Sequence, residues 1–272
     1  MKKLLTCLAL SFVAASSYAA TPLWLRDVQI SPDGTEIAFC YKGDIYKVPA
    51  NGGTATQLTT QASYECSPIW SPDSKQIAFA SDRNGNFDLF VMSADGGAAR
   101  RLTTHSASEI PSTFTTDGNY ILSIQDPANS ALFPTSAMTE LYKVPVTGGR
   151  TEQVLGTPAE MVCFDKSGKT FLYQDRKGFE DEWRKHHTSS ITRDVWLYDS
   201  ENGKHTNLTA HAGEDRNPVF APDGQTVYFL SERDGSTFNV YSFPISSPQS
   251  LKTVTHFKTH PVRFLSMGSN GT

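Results

Sequence analysis

The segment DRKGFEDEWRKHHTSSITRD, Asp175 to Asp194, holds the densest set of side chains able to do chemistry. Within it Trp183, Arg184, His186, His187 and Arg193 offer an aromatic surface, guanidinium donors and two imidazoles. That mix suits contact with a substrate or partner, with donors for a peptide carboxylate. The competing reading is a lid packed on neighbouring structure, with its charges solvated or paired, and the interleaved acids and bases weigh toward it. No metal site is expected. Adjacent histidines in a loop do not easily chelate one ion, and no carboxylate–histidine spacing matches a known motif.

Other reactive residue types recur instead of converging. SDRNG at Ser81–Gly85, DRKG at Asp175–Gly178 and SERDG at Ser231–Gly235 occupy matching places after a strand. An acid beside an arginine can look catalytic, but recurrence predicts a structural turn or an ion pair between neighbouring repeats. Such pairs contribute roughly 0–1 kcal/mol when exposed. His105 and His211 each follow Leu-Thr-x, so descent from a common repeat explains them better than a metal cluster does. Beyond the leader, Cys40, Cys66 and Cys163 form no CxxC pair and read as small buried hydrophobes. There is no GxSxG, HExxH or Walker loop. No catalytic residue, metal or cofactor is expected.

The elements that carry these residues are set by one short pattern. SPDG at Ser31–Gly34 returns as SPDS at Ser71, TTDG at Thr115, DKSG at Asp165 and APDG at Ala221, with a worn GSNG at Gly268. The starting positions lie 40, 44, 50, 56 and 47 residues apart. Each copy follows an apolar residue: Ile30, Trp70, Phe114, Phe164, Phe220 and Met267. A period of about 40–50 residues built from short strands predicts an all-β fold, a β-propeller of four-stranded blades.

Each repeat has the same grammar. An apolar residue ends strand A and the tetrapeptide then turns. Pro sets φ, Asp caps its own turn and Gly takes the left-handed position. Strand B alternates apolar residues, with Ile37, Ile77, Ile121, Phe171 and Val227 in equivalent places. Strand C follows, for example Asp88-Leu89-Phe90-Val91-Met92, then a Gly-rich turn, then a strand D ending in Leu-Thr. The A–B and C–D turns are short and alike. The B–C loops are long at Gln125–Thr139 and Gln174–Arg193, so irregular material gathers on one face, where binding usually lives.

Five full blades are expected, plus the first strand of a sixth at Pro261–Leu265. That count reads as a truncated six-bladed ring. It would leave the fifth blade without a neighbour and deprive Phe220 and Phe229 of part of their cover.

Composition sets the outer limits. Hydrophobic residues make up 38% of 272, enough for a sizeable core. A net charge of −4 argues against nucleic acid as the main partner, because phosphate binding needs a basic face. Residues 1–19 read as a secretory signal peptide. Lys2 and Lys3 precede the apolar run Leu4 to Ala15, and Ser17-Tyr18-Ala19 places small residues for cleavage after Ala19. That run is too short to span a bilayer. Thr6 before Cys7 does not suit a lipid anchor. Residues 20–272 are then the propeller, exported to the periplasm or beyond, with no membrane insertion after cleavage.

The SPDG, IAF, SDRxG and DGG…RLT elements resemble the PD40, WD40-like repeats of TolB and of tricorn-type serine peptidases. Trp70–Thr104 looks like a near-consensus unit, and the resemblance covers Leu23–Thr272. TolB-like proteins place an α/β domain before the propeller, whereas here the first blade begins directly after the leader. DEWRKHHTSSITRDVWLYD, Asp181–Asp199, looks like the matching stretch of secreted tricorn-like peptidases of the S41 type. That resemblance implies a non-catalytic N-terminal propeller that scaffolds or gates peptide access to a catalytic domain. Its partners would be peptides and protein domains, including later domains of the same polypeptide. No catalytic residue of the family maps onto this chain. A TolB-like interaction module, or the propeller of a prolyl-oligopeptidase-type enzyme, are the alternatives. The sequence downstream of Thr272 would separate them.

Overall fold

A computed structural model describes residues 24–125, 139–178 and 186–272. Among them are twenty strands and no helix, in five sheets of four strands, each in the order A-B-C-D. The A strands are Arg26–Ile30, Glu65–Trp70, Glu109–Phe114, Ala159–Phe164 and Asp215–Phe220. The B strands are Glu36–Tyr41, Gln76–Ser81, Tyr120–Gln125, Thr170–Asp175 and Thr226–Ser231. The C strands are Asp44–Pro49, Asp88–Ser93, Glu140–Pro145, Val195–Asp199 and Asn239–Pro244. Short D strands, such as Arg100–Arg101 and Lys204–Asn207, close each sheet. The five sheets are the expected propeller blades. Ile37, Ile77, Ile121, Phe171 and Val227 each pair with the last residue of their strand A, as their common offset requires.

The tetrapeptide turns work as the residue types dictate. At the first, Ser31 Oγ donates to Asp33 Oδ1 at 2.5 Å, and Asp33 Oδ1 also accepts the Thr35 amide at 2.9 Å. The Gly34 amide then reaches Ser31 O at 2.8 Å with φ at +75°. In the second copy Ser74 adopts φ +60° where the others have glycine.

Side chains alternate between the two faces of each blade, so each joint is walled by one face of either blade, and at two of them a small or aliphatic wall meets an aromatic one. Between blades 1 and 2, Ala38, Cys40, Ile45 and Leu58 meet Trp70, Ile77, Phe79, Phe90 and Met92. Between blades 4 and 5, Leu172, Val195 and Leu208 meet Phe220, Val227, Phe229, Tyr241 and Phe243.

This alternation corrects one expectation. Phe220 and Phe229 face blade 4 and are buried, at 8% and 0% exposure. The far flank of blade 5 is instead Leu230, Phe238 and Val240, which are buried too, with the half-buried Tyr228, Val262 and Leu265 packed against them.

The sixth unit also differs from expectation. Pro261–Leu265 forms no strand, and among the described residues no strand pairs with it. It nevertheless takes the inner position, with the Val262 amide donating to Phe238 O at 2.9 Å. The worn turn is formed as well: Gly271 N donates to Gly268 O at 3.0 Å, and Gly268 N to Thr272 O at 2.9 Å.

Candidate functional site

The inner strands build the first candidate, a cavity of about 400 Å³. All five A strands and the stretch 265–269 line it, so it lies on the axis of the ring. Every A–B ladder carries a bulge, and Asp27, Ser67, Met161 and Asn217 at the bulges have positive φ. A bulge re-aims side chains. Here it accompanies Met161, 44% exposed, and Asn217 in the lining.

The free inner edges of these strands are capped by neighbours. Ser112 Oγ accepts the Val162 amide at 3.0 Å, and Asp27 Oδ2 accepts that of Ser67 at 2.9 Å. Cys163 Sγ accepts the Phe220 amide at 3.4 Å. Burial pushes the Cys163 thiol up to about 11, so it sits there as a neutral acceptor and not as a nucleophile. The lining offers amide, hydroxyl, thioether and aromatic contacts, with Asp165 and Lys166 the charged residues among it. It can receive extended chains.

The second candidate is the loop face. Arg193 is buried between two acids, with Nη1 2.7 Å from Glu214 Oε1 and Nε 3.4 Å from Glu160 Oε2. Burial works against its charge, but Glu160 and Glu214 outweigh that and hold the proton more firmly. Glu160 also receives Arg176 at 3.0 Å and Gln174 Nε2 at 3.0 Å. Beside this network Lys177 Nζ lies 2.8 Å from Asp194 and 3.3 Å from Asp175. Burial pushes the Asp175 carboxyl up, while hydrogen bonding from the Asp194 amide and the Lys177 charge draw it back.

His187 is buried. Its amide donates to Glu232 Oε1 at 3.1 Å, and its Nε2 lies 2.8 Å from Ser189 Oγ. Ser189 Oγ also accepts the Ile191 amide at 3.1 Å, so this serine–histidine contact staples a turn. His186 is half exposed, with Nδ1 3.6 Å from Glu232 Oε2. The structure thus brings His186 and His187 together at Glu232 and places Arg193 in a separate pairing with Glu160 and Glu214. Trp183 and Arg184 lie outside the described residues.

The recurring motifs are structural. Arg83 Nη2 reaches Glu65 at 2.9 Å and Arg233 Nη2 reaches Asp215 at 2.7 Å, each with Nε on a strand-B serine. These pairs link strands A and B of one blade, and not neighbouring repeats, because the loop after strand B folds back over its own sheet. His105 and His211 make the same local turn, accepting the amides of Ala107 and Gly213 at 3.0 and 3.1 Å. Sequence reasoning did not find the channel lining. Its signal was present only as the apolar residue before each turn and the position of each bulge. Among the described residues, no three His, Cys, Asp or Glu side chains are grouped to hold a metal ion.

Comparison with known proteins fits this geometry. The profile of the family described as the tricorn protease N-terminal beta propeller domain matches residues 22–271. A curated relative, the uncharacterized peptidase YuxL of Bacillus subtilis, is 27% identical over 251 residues, covering 87% of this chain and 33% of its own. The chain therefore spans about a third of that relative's length. Among solved structures, the tricorn protease superposes with a TM-score of 0.75 at 21% identity, over 90% of this chain and 24% of the other. A putative TolB from Agrobacterium tumefaciens gives 0.68 at 15%, over 86% and 81%. At these identities the superpositions speak for the fold alone.

Proposed function

The chain belongs to the tricorn protease N-terminal β-propeller family, and from that membership we propose that it is the non-catalytic propeller of a longer, exported peptidase. It scaffolds a catalytic domain carried elsewhere on the polypeptide and gates the entry of peptides to it. The match over 22–271, nearly the whole chain, carries this reading. Three features support it. The axial cavity can admit an extended chain. The buried ion pairs of the loop face make a rigid rim. The charged leader Lys2-Lys3, apolar run and Ala19 site suit export. Among the described residues no helix is long and apolar enough to cross a membrane.

The test uses the full-length gene product with and without residues 24–272, given peptides of graded length. Gating predicts that removal raises the turnover of long chains relative to short ones. An unchanged length profile would overturn it. Mass spectrometry of the mature protein from its native host should find Ala20 first. An intact Met1 would sink the export reading.

A further inference from the structure

Three joints between blades share one polar design at the loop face. An aspartate stands at the start of strand C, a threonine after strand D accepts the next strand-C amide, and an acid opens the following strand A. The sets are Asp44, Thr59 and Glu65; Asp88, Thr103 and Glu109; and Asp194, Thr209 and Asp215. The threonine hydroxyls accept the amides of Ile45, Leu89 and Val195 at 2.9, 2.9 and 3.0 Å. In the first and third sets an arginine neutralises the strand-A acid: Arg83 on Glu65 and Arg233 on Asp215.

Among the described residues the middle set has no such arginine. Glu109 pairs across its ladder with Gln125, where Glu65 and Asp215 pair with Ser81 and Ser231. The sequence after Gln125 runs DPANSALFPTSAMT, with no lysine or arginine. Glu109 is 1% exposed, and its side chain receives the Thr103 hydroxyl at 2.9 Å. In the first joint the corresponding Thr59 hydroxyl donates within its own blade, to Asp44 at 3.2 Å. The groups facing Glu109 from blade 2 are Asp88, fully buried on strand C, and Arg101 on strand D. Arg101 is committed to Asp88 at 2.7 Å. On the D–A connection, His105 Nδ1 lies 3.5 Å from Gln125 Nε2 and accepts the Ala107 amide.

We propose that Glu109 makes the joint between blades 2 and 3 proton-dependent, holding strand A of blade 3 to blade 2 while protonated and loosening it once ionised. A carboxylate buried with a neutral donor and beside a second acid resists ionisation. Burial pushes the Glu109 carboxyl up to about 7, the Thr103 hydroxyl draws it back, and Asp88 raises it again. The folded protein therefore holds this proton more tightly than the unfolded chain does. The stabilisation is complete below the ordinary glutamate range and is lost as pH rises through about 7. The same strand carries Ser112, Thr113 and Phe114 into the axial cavity, so the state of the joint reaches the channel wall.

The test is hydrogen exchange of the whole chain at pH 5.5 and 8.5, corrected for intrinsic rates, on wild type, Glu109→Gln and Glu65→Gln. Wild type should exchange several-fold faster at the higher pH in residues 109–114, relative to the other A strands. Glu109→Gln should abolish that difference, and Glu65→Gln should keep it. An equal pH response in wild type and Glu109→Gln would overturn the proposal. A carboxyl carbon titration of wild type serves if the variant does not fold. A midpoint near 7 supports the proposal, and one in the ordinary range of about 4–5 sinks it.

Discussion

The amide of Ile30 donates to Ser266 Oγ at 3.0 Å, joining residues 236 apart in the chain. Alongside it the Ser269 amide reaches Pro32 O at 2.7 Å. The innermost strand of the first blade is thus bonded to the segment that follows the fifth, and the hub closes as a ring. The contact satisfies an amide on the free edge of a strand lining the cavity.

Ser266→Ala leaves the Ile30 amide without that partner. A neutral hydrogen bond contributes about 1 kcal/mol, which for a domain of this size lowers Tm by roughly 2–4 °C. Ser266→Thr retains the hydroxyl and should recover most of the loss. Thermal unfolding of the two variants checks this, and equal losses would show that the hydroxyl is not what holds the ring there.

Ion pairs should separate by burial. The Glu65 side chain is fully buried and bonded by Arg83, whereas Lys169 and Glu201 are both about 60% exposed at 2.6 Å. Removing one partner of a buried pair strands the other charge and costs about 3–5 kcal/mol. Arg83→Ala should therefore lower Tm by many degrees, and Lys169→Ala should leave it unchanged. Calorimetry on both variants decides it; similar losses would mean that distance, not burial, sets their worth.

The blade pattern was legible because each turn tetrapeptide states its conformation locally. Pro, Asp and Gly fix the bend, and the period-two alternation fixes the strands on either side. Which face a residue takes was less legible. Phe229 alternates correctly along its strand, but sequence does not say which parity points back toward blade 4. The ion pairs were visible as a recurring acid–arginine motif, yet their partners Glu65 and Asp215 lie 18 residues upstream of Arg83 and Arg233. Only the antiparallel ladder brings them together. The role of Cys163 as an amide acceptor depends on a residue 57 positions away, and no local signal announces it.

Stability should be greatest in mildly acidic solution. At the turns, Ser31 and Thr35 hold the Asp33 carboxyl below its ordinary range, and Ser71 and Lys75 do the same for Asp73. Thr115 and Asn119 act likewise on Asp117. A lowered carboxyl stabilises above its ordinary range and loses that contribution as pH falls through its folded value. Glu109 acts in the opposite sense at the other end, with its contribution lost as pH rises through about 7. Tm measured from pH 3 to 9 should therefore form a dome. Replacing Asp33, Asp73 and Asp117 together by Asn should flatten the acid limb alone, and a change confined to the alkaline limb would refute the assignment.

The last prediction concerns the space between blades 5 and 1. Ile37, Phe39, Tyr46 and Val48 of blade 1 hold the register positions of Ile77, Phe79, Phe90 and Met92 of blade 2. The stacked pair Phe39–Tyr46, at 5.7 Å, copies Phe79–Phe90 at 5.8 Å. In blade 2 all four are buried against blade 1, whereas in blade 1 Ile37, Tyr46 and Val48 are only half buried. Across the space, Leu230, Phe238 and Val240 are buried, with Tyr228, Val262 and Leu265 packed against them and the Arg216 guanidinium 4.3 Å from the Phe238 ring. The blade 1 wall is thus largely aromatic, as at the joints between blades 1 and 2 and between blades 4 and 5. A three-stranded sheet fits between the two blades if it turns large apolar residues toward blade 5 and small ones toward blade 1. Ile37, Tyr46 and Val48 have burial left to gain, each worth less than the roughly 1.5–3 kcal/mol of a fully exposed side chain, against a net stability of about 5–15 kcal/mol for a domain. Extending the chain by one further blade should raise Tm by more than Ser266→Ala lowers it. It should also suppress self-association through the half-buried wall of blade 1. Thermal unfolding with light scattering on both forms is the measurement. A short form that is equally stable and monodisperse would show that the hub closure at Ser266 suffices without a sixth sheet.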